Sequence, residues 1–270
     1  RLNPIVAGLS LISVKPNIIG VIPARMLSSR FPGKPLAKIL EMPMIGHVYH
    51  RSKMCSTLDE VYVATCDDII AEYIQNIGGQ SVMTADTHER ASDRVGEAFL
   101  KIEQDIGKEI DIVVMLQGDE PMIVPEMIEA SIQPLIDDSS IVVSNLMAVI
   151  ENEEDFEDPN EVKVVIDNHD FALYFSREPV PSRKKYDQQV PMLKQVCVIP
   201  FRRSTLLEFN QLEPTIPEII ESVDMNRFLG HGIKVKMIKT EFTTVAVDTP
   251  NDLERVSHLM KDDHLISEYS

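Results

Sequence analysis

The chain has 270 residues, of which 44% are hydrophobic, so it is long enough to bury a sizeable core. Its formal net charge of −17 argues against a nucleic acid or an anionic membrane as a partner, because such polyanions bind basic surfaces. No stretch reaches the ~18 consecutive apolar residues of a membrane-spanning helix, so we expect no transmembrane segment.

The cysteines and the N-terminus indicate the cellular setting. Cys55, Cys66 and Cys197 are odd in number and fit no zinc-binding spacing. Cys66 and Cys197 lie in apolar, strand-like surroundings, which predicts buried thiols in a reducing cytoplasm. Residues 1–17 contain a mildly apolar stretch without a signal-peptide cleavage pattern, and we interpret them as an N-terminal arm or a non-native remnant.

The first predicted element is a short buried strand followed by a basic loop. Residues 18–22 are all Ile, Gly or Val, a run that is typical of a buried parallel strand. The loop after Pro23 carries the cations and hydroxyls that suit a polyphosphate, namely Arg25, Ser28, Ser29, Arg30 and Lys34. Gly33 lets backbone N–H groups approach a ligand, and ligands of open α/β sheets bind beyond the carboxyl ends of strands. A solvated basic loop remains the alternative interpretation.

Strands and helices alternate from residue 18 to residue 140. Helices are predicted at 43–54, 67–76 and 125–136, together with one that follows the polar stretch 86–94 and ends near residue 106. Further strands are predicted at 61–65, 81–84 and 110–116. This order predicts an α/β core over residues 18–140, with a mainly parallel central sheet and right-handed crossovers.

The pattern changes after residue 140. Strands at 141–150, 162–167, 171–176 and 193–201, followed by helices at 204–210 and 218–229, predict a smaller antiparallel subdomain over residues 141–232. Residues 233–270 are predicted to return to the core, with strands at 233–238 and 244–248. The final helix is predicted to begin at Thr249 or Asn251, since either residue suits an N-cap.

Two aspartates lie at the ends of predicted strands. Asp119 follows the strand 110–116, and Asp248 ends the strand 244–248. Two carboxylates beside a polyphosphate loop suit Mg²⁺, which takes one or two carboxylates together with phosphate oxygens. The alternative for each aspartate alone is a helix cap.

Arg90 and Arg94 lie at helical spacing and are predicted to face a ligand together, with Asp93 behind them. The alternative is a charged helix N-terminus with solvated arginines. The sequence contains neither Gly-x-x-x-x-Gly-Lys-Ser/Thr nor Gly-x-Gly-x-x-Gly after a strand. It therefore argues against a P-loop site and against the nicotinamide or flavin site of an oxidoreductase.

Eight stretches between residues 22 and 256 carry a resemblance to a known family, and four of them are together highly specific. These four are IPARMLSSRFPGKPLAKI (22–39), LQGDEPMI (116–123), ALYFSREPVP (172–181) and VAVDTPNDLERV (245–256). Together they resemble the 3-deoxy-manno-octulosonate (Kdo) cytidylyltransferases, and RFPGKPL fits this branch better than that of the related sialic-acid enzymes. The resemblance implies a Rossmann-like nucleotidyltransferase fold. It also implies an enzyme that uses CTP to convert a 2-keto-3-deoxy sugar acid into its CMP-sugar, with release of pyrophosphate.

The resemblance implies roles for individual residues as well. The residues implied in catalysis are Arg25, Lys34 and Asp119. Those implied in nucleotide binding are Arg25, Ser28, Arg30, Lys34, Ser92, Arg94 and Gln117. Those implied in binding the sugar acid are Lys163, Tyr174, Arg177, Gln195 and Asp224. Asp119 and Asp248 are implied as Mg²⁺ ligands, and the part 141–232 is implied as the acid site and the interface of a cytoplasmic homodimer.

The chain departs from the family pattern on the sugar side. The family's His-x-Gly-x-Tyr is QVCVI at 195–199 here, its Glu-Ser-Leu-Glu-Gln is ESVDM at 221–225, and its Ser-Gly-Thr-Asp-Arg is RASDR at 90–94. Buried polar groups that pair with substrate hydroxyls discriminate strongly between substrates. We therefore expect a different sugar acid, or another 2-keto or phosphonate acid. Activation of Kdo itself and a non-catalytic nucleotide-binding protein are the alternatives.

Overall fold

A computed structural model describes residues 15–28, 30–185, 190–242 and 244–270. Most of the predicted N-terminal arm lies outside these ranges.

The strands are β1 (Ile18–Ala24), β2 (Lys38–Ile39), β3 (Met42–Pro43), β4 (Glu60–Thr65), β5 (Gln80–Met83), β6 (Ile112–Leu116), β7 (Ser144–Val149), β8 (Lys163–Ile166), β9 (Ala172–Ser176), β10 (Leu193–Val196), β11 (Val198–Arg202) and β12 (Lys236–Lys239). The helices are α1 (Met44–Lys53), α2 (Asp68–Asn76), α3 (Ala91–Ile106), α4 (Pro125–Asp137), α5 (Glu153–Glu157), α6 (Arg203–Phe209), α7 (Ile216–Glu221), α8 (Met225–Gly230) and α9 (Pro250–Leu259). Short 3-10 turns lie at Lys34–Leu36, Met260–Asp262 and His264–Glu268.

The first sheet is the predicted, mainly parallel centre of an α/β core. Its five strands have the order β11-β6-β1-β4-β5, and every neighbouring pair is parallel except β11 with β6. β1 is buried at all seven positions, because helices cover both faces of this sheet. Ile19 and Val21 share a core cluster with Phe99 of α3, whereas Ile18 and Ile22 belong to the cluster formed with α1, α2 and α4. The carboxyl ends of β1 and β6 consequently open side by side at one edge of the sheet.

The second sheet is the predicted antiparallel part. Its strand order is β12-β7-β10-β8-β9, and only the pair of β12 with β7 is parallel. β12 overlaps the predicted strand 233–238, so this segment belongs to the second sheet rather than to the first.

The predicted strand 193–201 is in fact two strands, one in each sheet. Val196 pairs with Leu146 of β7, and Val198 pairs with Leu116 of β6. Cys197 lies at the junction, where its carbonyl accepts the Gln117 N–H at 3.2 Å. The prediction of a single strand is wrong. The sequence is apolar on both sides of Cys197, and the two halves differ only in the strand with which they pair, β7 before the junction and β6 after it.

Two other predictions differ from the structure. The predicted helix 218–229 is interrupted, because Ser222 adopts a left-handed backbone conformation (φ 52°, ψ 48°) that no right-handed helix continues through. The predicted strand 244–248 belongs to neither sheet. Instead, the Val247 N–H donates to Asp119 O at 2.9 Å, which brings Asp248 to the end of β6.

Over the ranges that the structure describes, no helix is long and apolar enough to cross a membrane. All three cysteines are free thiols, and Cys55 is buried. Cys66 and Cys197 are only half-buried. The prediction that both are buried is wrong, because each lies just beyond the end of a strand rather than inside it.

Candidate active site

A cleft opens at the carboxyl ends of β1 and β6. It consists of two neighbouring cavities of about 300 and 730 Å³, whose linings share seven residues: Arg25, Arg30, Glu89, Arg90, Ala91, Gln117 and Asp119. The smaller one, the first cavity, lies against the loop 23–35 and the start of α3. The larger one, the second cavity, extends towards the Cys197 junction and the start of α8.

Lys34 joins the basic loop to both predicted metal ligands. Its Nζ donates to Asp119 Oδ2 at 2.8 Å and to Asp248 Oδ1 at 3.4 Å, and its side chain is only 14% exposed. Burial disfavours the charged ammonium, but the two carboxylates outweigh this effect and hold the pKa of Lys34 above its usual value. The interpretation of this part of the loop as merely solvated is therefore wrong.

The loop itself is folded so that its cations meet at the cleft. Gly33 has φ 76°, a left-handed conformation that favours glycine, and its N–H donates to Met26 O at 3.0 Å. Arg30 extends over the cleft, where its Nη2 lies 2.9 Å from Asp248 Oδ1. Ser28, which also lines the first cavity, accepts the Phe31 N–H at 3.3 Å.

Neither aspartate caps a helix. The N-cap of α4 is Val124, so Asp119 lies free of it at the end of β6. The N-cap of α9 is Thr249, which forms a reciprocal capping box with Asp252 and confirms one of the two predicted caps. Asp248 precedes this cap and points to Lys34 instead.

The donor set at this edge suits a hard divalent cation. Among the described residues, no group of three or more His, Cys, Asp or Glu side chains could hold a metal ion. Two carboxylates, Asp119 and Asp248, nevertheless converge on a single positive charge, the Lys34 ammonium. Mg²⁺ characteristically takes one or two carboxylates and completes its shell with water and phosphate oxygens, so this pair fits it.

Arg94 has a positioning role in addition to lining the first cavity. It is 2% exposed, and its guanidinium donates to Thr84 Oγ1 at 2.5 Å and to Ala85 O at 3.2 Å. Arg25 and Arg94 both donate to the His88 carbonyl, at 3.2 and 3.5 Å. The alternative of solvated arginines is wrong for Arg94, whose charge is buried among the acceptors of the 84–88 segment.

Asp224, at the start of α8, binds two side chains at the start of α3. Its Oδ2 accepts from Ser92 Oγ at 2.7 Å, and its Oδ1 forms an ion pair with Arg90. Ser92 is fully buried in this contact, so the structure places it against Asp224 rather than in the lining of the first cavity. Arg90 also lies 3.4 Å from Glu218, which is itself paired with Arg227. This network fixes α8 to the start of α3.

Three of the five residues predicted to bind the acid line the second cavity: Arg177, Gln195 and Asp224. The other two lie outside its lining. Lys163 is fully buried, where burial lowers its pKa, and its Nζ donates to Asp158 O at 2.8 Å. Tyr174 donates to Glu221 Oε1 at 3.0 Å.

Sequence reasoning missed two buried charged residues of the second cavity. Glu120 is 5% exposed, and burial, together with repulsion from Asp119, raises its pKa to about 8. Lys194 is 8% exposed and donates to Glu161 at 3.0 Å and to Thr244 O at 3.2 Å. The position of Glu120, directly after Asp119 at the end of an apolar strand, was the only available signal. No sequence signal identifies Lys194 as a site residue, because nothing in the pattern of β10 distinguishes it from other polar positions.

Comparisons with known proteins agree with this geometry. A family model described as cytidylyltransferase matches residues 19–238. A 3-deoxy-manno-octulosonate cytidylyltransferase of Geotalea uraniireducens is 40% identical over 254 residues, which is 90% of this chain and 99% of that protein. A mitochondrial 3-deoxy-manno-octulosonate cytidylyltransferase of Arabidopsis thaliana is 38% identical over 91% of this chain and 83% of its own length.

Solved structures give the same result. One described as CMP:2-keto-3-deoxy-manno-octonic acid synthetase complexed with CTP superposes with a TM-score of 0.82 at 38% identity, covering 90% of this chain and 98% of its own. A 4-diphosphocytidyl-2C-methyl-D-erythritol synthase of Anaerococcus prevotii has a TM-score of 0.60 at 13% identity, with coverage of 92% and 100%. The second similarity concerns the fold alone, which is that of the nucleotidyltransferases.

Proposed function

The chain belongs to the cytidylyltransferase family, and from that premise we propose that it transfers CMP from CTP to a 2-keto-3-deoxy sugar acid, either Kdo or a Kdo-like acid. The observation that carries the proposal is the meeting of Lys34, Asp119 and Asp248 where the two cavities join. One cavity has the cations that a triphosphate needs, and the other has room for an acid.

In the proposed reaction, the anomeric hydroxyl of the acid attacks the α-phosphorus of CTP. A new P–O bond forms, the bond to the β-phosphate oxygen breaks, pyrophosphate leaves, and the hydroxyl proton passes to solvent. Such a transfer depends mainly on positioning and charge neutralisation. Arg25, Arg30 and Lys34 supply three positive charges at the carboxyl end of β1, in a protein whose overall charge repels anions. We assign them to the triphosphate.

Asp119 and Asp248 are assigned as the ligands of Mg²⁺. When bound, the ion supplies charge neutralisation at phosphate oxygens and orients the reacting groups. The chain's own part is to hold two carboxylates at one point, through the end of β6 and through the segment that Val247 anchors on Asp119 O. Gln117 lines both cavities and is assigned to the nucleotide.

Arg177 is assigned to the carboxylate of the acid. Its guanidinium donates to Glu221 O at 2.6 Å, to Pro159 O at 2.8 Å and to Ser222 O at 3.3 Å. All three acceptors are neutral carbonyls, so they orient the side chain, and among the residues that the structure describes no carboxylate forms an ion pair with its guanidinium. A planar guanidinium in that state matches a substrate carboxylate.

The proposed cellular setting is a homodimer in the cytoplasm. Three free thiols suit a reducing compartment. The antiparallel part carries an exposed apolar surface on α7, where Ile216, Ile219 and Ile220 are 69%, 59% and 73% exposed. Contiguous exposed apolar residues are typical of interfaces, so we assign this helix to the contact between copies.

The test is release of pyrophosphate from CTP and Mg²⁺ with Kdo, compared with reactions that lack the acid. Acid-dependent release and a CMP-sugar product are expected. Retained CTP binding without turnover of any 2-keto-3-deoxy acid would instead support the non-catalytic alternative.

A further inference from the structure

The second cavity has an apolar floor. Five side chains form it, and we use the name apolar floor for this set: Met115, Cys197, Ile199, Val223 and Met225. They come from β6, from the Cys197 junction with β11, and from the start of α8. Four of the five, Met115, Ile199, Val223 and Met225, also belong to the main hydrophobic core, so the core itself faces the ligand space here.

Two polar residues of this cavity, Asp224 and Gln195, are already bound to other parts of the protein. Both carboxylate oxygens of Asp224 accept from side chains, Ser92 and Arg90. Gln195 donates through Nε2 to Asn145 Oδ1 at 2.6 Å. These contacts hold the walls together, and they occupy both carboxylate oxygens of Asp224 and one N–H of Gln195 before any ligand enters.

Glu120 differs from Asp224 and Gln195. Its Oε2 atom is buried and has no hydrogen-bond partner, a state that only Asn210 Oδ1 shares among the buried side chains described by the structure. Asn210 lies against Gly96 of α3, whereas Glu120 lines the second cavity. Buried polar atoms of native proteins nearly always have a partner, so the orphaned oxygen indicates one that arrives with the ligand.

We propose that the acid lies with its carbon chain on the apolar floor and Glu120 as its main polar contact there, so the enzyme prefers a 2-keto-3-deoxy acid that lacks at least one hydroxyl of Kdo. A hydroxyl pressed against Ile199 or Met225 loses its water and gains no hydrogen bond in return. A CH₂ group at the same place has no hydrogen bond to water to lose. The inference rests on the proposed function and names the class of acid for it.

The first experiment uses the unaltered protein. Pyrophosphate release is measured at saturating CTP and Mg²⁺ with Kdo and with its 4-, 5-, 7- and 8-deoxy analogues. We expect at least one analogue to have a kcat/KM at least tenfold above that of Kdo. If Kdo is the best substrate of the set, the inference is wrong and the proposed function stands. If no acid releases pyrophosphate, the proposed function itself fails.

Two variants locate the effect. Met225→Gln adds a polar group of similar size to the floor and should reduce the preference for the deoxy analogue over Kdo at least fivefold, with the KM for CTP unchanged. Met83→Gln changes an exposed residue outside the cavity and should leave both values unchanged. An unchanged preference in a folded Met225→Gln protein would overturn the assignment of the floor.

A second pair of variants tests Glu120. Glu120→Met removes the orphaned oxygen and should raise the KM for the acid at least tenfold while the KM for CTP stays constant. Glu120→Gln keeps a hydrogen-bonding side chain and should recover most of that loss. Equal KM values for the acid in both variants, with thermal unfolding confirming the fold, would contradict the role of Glu120.

Discussion

The Nζ atom of Lys34 lies 2.8 Å from Oδ2 of Asp119, although 85 positions separate the two residues in the chain. The same ammonium reaches Asp248, which is 214 positions away. Because β1 and β6 are parallel neighbours, the loop after one and the aspartate after the other arrive at a single edge of the sheet. Asp248 is held at the same edge because the N–H of the preceding residue, Val247, donates to the carbonyl of Asp119.

The first prediction concerns Asp119. Asp119→Asn removes the strongest partner of Lys34 and one of the two proposed metal ligands, and it keeps the size of the side chain. We expect kcat for pyrophosphate release to fall at least ~100-fold, as losses of preorganised charge in active sites do. Asp137→Asn, an exposed carboxylate at the end of α4, is the matched control and should retain full activity. Activity of Asp119→Asn above half that of the unaltered protein would contradict the assignment.

The second prediction concerns the metal. Treatment with EDTA should abolish pyrophosphate release, and added Mg²⁺ should restore it. Asp248→Asn should raise the Mg²⁺ concentration that gives half-maximal rate at least ~10-fold, because one of only two protein carboxylates is lost. Titration of initial rates against Mg²⁺ measures the shift. A chelated protein that still turns over at its full rate would rule out the metal site.

Much of the first cavity could be predicted, and for a physical reason. An apolar strand followed by cations, and another followed by a carboxylate, must place those groups together when the strands are parallel. Lys34, Asp119 and Arg25 therefore follow from local pattern and sheet order. The alternation of strands and helices from residue 18 to residue 140 correctly predicted that the sheet is mainly parallel.

The second cavity could not be predicted in the same way. The change of sheet at Cys197 depends on which distant strands pair with Val196 and Val198, and the local sequence is equally apolar on both sides. The same holds for the buried role of Arg94 in the first cavity, because it depends on backbone carbonyls of the 84–88 segment, which carry no sequence signal. The orphaned oxygen of Glu120 exists only once β6 and β10 are in place.

The third prediction concerns the buried ion pair of α7 and α8. Glu218 is fully buried and accepts from Arg227 Nε at 2.8 Å and from Nη2 at 2.7 Å, and the guanidinium lies 4.5 Å from the centre of the Phe209 ring. Glu218→Gln leaves a buried guanidinium without its carboxylate, so the free energy of unfolding should fall by about 3–5 kcal/mol. Urea denaturation measures the change.

The matched control is Glu241→Gln, because its partner Lys239 forms an exposed pair at 3.1 Å. That change should cost less than about 1 kcal/mol. A Glu218→Leu/Arg227→Met double variant should recover part of the loss, because no unpaired charge then remains buried. A loss in Glu218→Gln no larger than that of the control would show that the pair contributes little.

The fourth prediction concerns pH and His47 of α1. The imidazole is 1% exposed and lies 2.9 Å from both Tyr269 Oη and Ile39 O. Burial lowers the pKa of His47 below the usual 6.5, and the nearby positive charge of Arg51 acts in the same direction. Well above pH 6.5 the ring is neutral in both states, so it adds no pH dependence. As the pH falls below 6.5, the unfolded chain takes up a proton that the folded protein refuses, and the folded state loses stability.

Urea denaturation at pH 7.5 and 5.5 tests this effect. His47 should contribute a loss of at most about 1.4 kcal/mol, because one pH unit is worth that much per proton. His47→Gln should reduce the difference between the two pH values, whereas His169→Gln, at an exposed turn, should leave it unchanged. Glu97, whose pKa several hydrogen bonds lower to about 2 against burial, loses its stabilising charge only below pH ~4.5 and stays outside this window. An equal pH dependence in His47→Gln and in the unaltered protein would assign the effect to other groups.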